Sequence, residues 1–106
     1  MAWLMLLAAG LLEVVWAFSM KQSAGFTRLL PTLVTAVAMV ASVVLLASAM
    51  RSLPLGTAYA VWTGIGALGA FVAGIVFLGE SASPMRLGAA ALILAGLALM
   101  KLATPD

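Results

Sequence analysis

Glu13 is a lone ionisable side chain in an apolar run that reaches from the first residues to Met20. A carboxylate at the middle of a membrane span costs roughly 2.5 to 3.5 kcal/mol on insertion scales, so an intramembrane acid is a functional candidate. The bland alternatives are that it reaches water at one interface or pairs with a base, but no Lys, Arg or His shares its run. The chemistry open to such a group is exchange: a carboxylate that gains and loses a proton can trade it for a cation. Helical spacing places Ala9 and Gly10 on one side of Glu13 and Trp16 and Ala17 on the other, all on one face. Gly10 leaves room for a second backbone or a ligand. Trp16 carries one N–H that can donate to the carboxylate and fix its rotamer; the competing role is an interfacial anchor.

Other polar side chains fall at helical spacing in later runs. Thr35 and Ser42 lie seven residues apart on one face, and Ser42 falls at mid-span. Its hydroxyl can serve a ligand or Glu13, or bond back to its own helix. Tyr59, Trp62, Thr63 and Gly66 share another face, where rings lining a cavity present π faces and hydrogen-bonding tips to a cation. Gly64 and Gly66 weaken the same segment and suggest a hinge, whereas Gly66, Ala70 and Gly74 also read as a close-packing stripe. Cysteine and histidine are absent. Disulfides, thiol nucleophiles, imidazole bases and nearly all transition-metal sites are thereby excluded, and no cofactor or metal is expected. Paired catalytic groups are also lacking, so an enzyme is not expected.

The elements that must carry these residues follow from composition. Of 106 residues, 66% are hydrophobic and 8% charged, against about half apolar for a soluble domain. A bilayer core about 30 Å thick requires around 20 apolar residues as helix. Four runs qualify, at about 2–20, 30–50, 55–78 and 85–103, and together they form a single four-helix transmembrane domain over 1–106. Lys21 falls in the first loop on this division. Every break between runs carries a charge with Gly or Pro, and Ser83-Pro84 has the form of a helix start. Lipid leaves no backbone amide unsatisfied, so the fold class is all-α membrane protein. The first run lacks the basic start of a cleaved signal and is expected to be retained. In the fourth run, Gly88, Leu92 and Gly96 lie on a small-and-leucine seam suited to helix association. Basic residues are split between the two sides: Lys21, Arg28 and Arg86 oppose Arg51, Lys101 and the terminal amine. So even a vote permits insertion both ways up, and two opposed copies would make an antiparallel dimer.

Three stretches, Gly10-Leu11-Leu12-Glu13-Val14-Val15-Trp16-Ala17, Lys21 to Arg28 with its Gly25-Phe26-Thr27 turn, and Pro54 to Gly66 ending Trp62-Thr63-Gly64-Ile65-Gly66, carry a resemblance. Over essentially its whole length the chain resembles the small multidrug resistance transporters, and among them the guanidinium-exporter subtype. The resemblance implies an antiparallel, dual-topology homodimer in the cell membrane of a prokaryote, exchanging guanidinium for protons. Glu13 of both protomers would bind substrate and protons in alternation, and Trp16, Ser42, Tyr59 and Trp62 match the family's binding-site positions. The chain shows no departure there. The alternative functions are a broad quaternary-ammonium exporter of the same fold, a non-transporting membrane subunit, and a channel lined by Glu13.

Overall fold

The computed structural model describes residues 1–104. Four helices follow one another: α1, Ala2–Gln22; α2, Leu29–Ala49; α3, Leu55–Leu78; and α4, Pro84–Ala103. At 20 to 24 residues for the shortest and longest, a rise of 1.5 Å per residue makes them about 30 to 36 Å long, enough to cross the hydrocarbon. Each is apolar enough to do so. The chain is thus a multi-pass membrane protein.

Local chemistry sets the ends. α1 runs through Gln22, so Lys21 belongs to its last turn rather than to the loop. There its ammonium complements the negative end of the helix dipole, which is why a charged residue extends this helix instead of stopping it. The turn that follows has three successive left-handed residues, Ala24, Gly25 and Phe26, with φ of 51°, 74° and 67°. Two are not glycine, and buried Ser23 supports them. Its hydroxyl donates to Met20 O at 2.6 Å and accepts from Phe26 N–H at 3.0 Å. α3 closes on left-handed Gly79. α4 opens on Ser83, whose hydroxyl accepts from the Arg86 N–H at 3.3 Å, with Pro84 in the first turn.

α1 is the central helix, packed against both α2 and α3, while α4 lies along α3 alone apart from its far end. There Lys101 Nζ stands 4.5 Å from the centre of the Trp3 ring. The backbone forms a slab of 43 × 34 × 16 Å. Leu6, Ala9, Leu46, Ala49, Leu53, Ala58 and Val61 make one buried cluster. It occupies the end where α1 begins, α2 ends and α3 begins. No residue of α4 is buried, and Leu92 is 75% exposed. A Cβ on Gly88 or Gly96 would meet open space. The seam expected on this helix therefore faces away from the rest of the protomer.

α3 is unbroken through Gly64 and Gly66. The room these glycines leave is occupied: a Cβ on Gly64 would come within 2.5 Å of Leu97 on α4, and one on Gly66 would run into the Glu13 side chain.

Candidate functional site

Glu13 sits midway along α1 and is half-buried. Its side chain lies across Gly66 of α3, where a Cβ would strike Oε1 and stand 2.8 Å from Cγ. Any larger residue at 66 must displace the carboxylate. Glu13 Oε1 is buried without a hydrogen-bond partner among the described residues. A buried acceptor left unpaired costs about 1 to 3 kcal/mol, and more when charged. Such an atom is stable only if it is protonated, solvated or bound to a ligand.

One turn away, three helices meet at a single hydroxyl. Fully buried Ser42 donates from Oγ to the Ala9 carbonyl at 2.6 Å, and its Oγ accepts from Trp62 Nε1–H at 3.0 Å. Of the uses considered for Ser42, neither the bond to Glu13 nor the bond within α2 is made. The hydroxyl instead spans from α2 to α1 and receives α3. Thr35, on the same face, does bond within its helix, donating to Pro31 O at 2.8 Å. Because Ala9 precedes Glu13 by four residues and Trp62 precedes Gly66 by four, the serine knot lies directly beneath the carboxylate's seat. The hydroxyl has one proton and two lone pairs. The proton and one lone pair are engaged, so one acceptor position remains.

The rings extend this site unevenly. Tyr59 is 54% exposed, its ring tilted 49° against Trp62 at 5.6 Å. Trp16 Nε1 is buried and has no partner among the described residues, so the expected donation to Glu13 is not made. A donor and an acceptor one helical turn apart are both left open. Thr63 is exposed and spends its hydroxyl on Tyr59 O at 2.8 Å, so its proton is not turned to the site. Gly10 admits Ile65, whose Cγ2 would lie 2.5 Å from a Cβ there. Its space therefore serves the approach of α3 and not a ligand.

The structure thus joins Glu13, Ser42 and Trp62 around Gly66 and the Ala9 carbonyl, with Tyr59 and Trp16 at the margins. The Ala9 carbonyl and the seating role of Gly66 were not foreseen from sequence. The only available signal was their position, one turn from Glu13 and Trp62 respectively.

Such an arrangement, an unpaired acid with a neutral hydrogen-bonding knot and aromatic walls, suits a small cation that carries N–H donors. The family model for the Small Multidrug Resistance protein matches residues 1–99. The guanidinium exporter of Escherichia coli K12 is 61% identical over 104 residues, which span 98% of this chain and 99% of that one. The guanidinium exporter of Shigella flexneri matches to the same extent, and that of Citrobacter freundii is 60% identical over the same span. With four membrane-crossing helices carrying one embedded carboxylate, and a match that leaves out only the last few residues, the chain belongs to the small multidrug resistance family.

Proposed function

We propose that this protein exports guanidinium in exchange for protons, working as an antiparallel homodimer by alternating access. The observation that carries the reading is the buried, partnerless Oε1 of Glu13 one helical turn from a serine hydroxyl with one free lone pair. Relatives about 60% identical over nearly full length are guanidinium exporters.

Guanidinium is planar, stays charged at neutral pH and presents its N–H groups in the plane, two of which a carboxylate accepts side by side. A third N–H meets the free lone pair of Ser42. Trp62 and Tyr59 contribute π faces to the cation, and Trp16 donates to the carboxylate once the site closes on its ligand. A fully alkylated ammonium has no donor for these acceptors, and a site built for N–H groups discriminates against it on that ground.

Two protomers in opposite orientations bring two Glu13 carboxylates to one cavity. Their mutual repulsion is relieved by protons or by one cation. Occupancy by either excludes the other, which is the condition for exchange. If two protons enter for each guanidinium expelled, one net charge moves inward, worth about 2.3 kcal/mol per 100 mV of inside-negative potential. The uncovered seam of Gly88, Leu92 and Gly96 on α4 is the surface through which the second copy packs. Gly64 and Gly66 are where α3 flexes between the two access states.

The test is the current from vesicles containing purified protein when guanidinium is added, repeated across pH. Coupled exchange gives a transient whose sign reports net charge movement and which the Glu13→Gln variant lacks. Proton-coupled guanidinium uptake by that variant would refute the assignment. A bulky tetraalkyl cation that competes as well as guanidinium would favour the broad exporter instead.

A further inference from the structure

A cavity of about 190 Å³ lies between the C-terminal ends of α1 and α3, walled by Ala17, Phe18, Lys21, Gly74, Leu78 and Glu80. Its volume is that of about six water molecules, enough for a phosphate and a short amine but not for a whole lipid. Lys21 is in the last turn of α1 and Glu80 follows the Gly79 cap of α3, so the cavity opens at headgroup depth. The two side chains carry opposite charges, yet no ion pair joins them and neither makes a side-chain hydrogen bond among the described residues.

The position of Glu80 needs explaining. Its amide donates to Gly74 O at 3.1 Å, and its carboxylate folds back onto Gly74, where a Cβ would collide with Oε1 and lie 2.8 Å from Cδ. This holds an anion at the negative end of the α3 dipole, with the negative end of α1 alongside. Such a place attracts a cation. A simple cation would also meet Lys21, and a simple anion would meet Glu80 and two helix ends of its own sign. A zwitterion satisfies both halves, with an ammonium on Glu80 and a phosphate on Lys21. Phe18, held edge-to-face on Phe77 at 5.9 Å, with Ala70 and Ala73 of α3, continues the wall apolar toward the bilayer interior, where acyl chains lie.

We infer that this cavity is a binding site for a phospholipid whose headgroup joins a phosphate to a primary ammonium. The site is separate from Glu13 and holds whether or not the cargo is guanidinium. Phosphatidylcholine tests the ammonium half, because its quaternary nitrogen has no N–H to give Glu80.

The full chain is purified in detergent, exposed to equimolar phosphatidylethanolamine and phosphatidylcholine of the same acyl chains, and its retained lipid is counted by native mass spectrometry. The wild type retains the ethanolamine lipid about tenfold better, the worth of one charge-assisted hydrogen bond. Glu80→Gln removes that preference, while Lys21→Gln weakens retention of both lipids. Gly74→Ala, which shifts the Glu80 carboxylate and keeps its charge, lowers the preference too, so a misfolded Glu80 variant would not leave the outcome open. Soluble phosphoethanolamine at the lipid's concentration does not displace the lipid. Equal retention of the two lipids by the wild type, an undiminished preference in both Glu80→Gln and Gly74→Ala, or displacement by the soluble headgroup would overturn the assignment.

Discussion

At the residue scale the protein depends on which hydrogen-bonding positions are filled and which are left open. Ser42 has one lone pair free. Its replacement by alanine removes that acceptor and also leaves the Trp62 N–H without its partner, while the Ala9 carbonyl keeps its bond within α1. Guanidinium binding by Ser42→Ala, measured by tryptophan fluorescence or calorimetry, is expected to weaken about 10- to 100-fold, the range for a hydrogen bond to a charged group. Gly66 distinguishes seating from packing. Gly66→Ala pushes on the flexible end of the Glu13 side chain, not on backbone, and alanine is the better helix former by about 1 kcal/mol. Transport should fall about tenfold or more while the melting temperature holds or rises; loss of both together would mean that Gly66 serves packing alone. Since guanidinium meets the ionised carboxylate, protons compete with it. Acidification must weaken binding, up to about tenfold per pH unit for each competing proton, and calorimetry in a pH series reads that slope. The acid itself was legible in the sequence, because a charge in an apolar run needs no neighbour to be noticed. The Ser42 partners were not, because a hydroxyl's bond across helices depends on their relative rotation, which one chain's periodicity does not specify.

At the scale of the helices, glycines mark where pairs of elements touch. Gly64 takes Leu97 of α4, and Gly10 takes Ile65 of α3. Gly64→Val overpacks that contact and should lower protomer stability by about 1 to 3 kcal/mol, seen as earlier thermal aggregation. At Gly88 an added Cβ meets none of the described residues of the protomer, so Gly88→Leu starts into open space. It should leave the fold intact and separate the two copies, visible as loss of cross-linking between labelled chains in vesicles. A variant that stays dimeric would remove α4 from the proposed interface. The four helices were readable from the lengths of the apolar runs. Their ends were less so: Lys21 reads as a loop residue by charge, but a cation at a helix C-terminus prolongs the helix. The adjacency of α1 with both neighbours and the outlying place of α4 were also hidden, because four apolar helices look alike until they pack.

For the molecule as a whole, the weak charge bias predicts that fluorescent tags on either terminus report both orientations in comparable amounts. A single orientation would leave the antiparallel reading without a basis. The contact of Lys101 with Trp3 across 4.5 Å bears on how the molecule can be engineered. It holds the start of the first helix and the close of the last at the same face of the membrane, as an even number of crossings requires. Two copies joined in one gene by a short flexible tether must then lie side by side in the same sense. Only a connector that itself passes through the bilayer can deliver the inverted mate, so a tandem gene with such a connector should support export and one with a short tether should not, unless its halves pair with those of another tandem molecule.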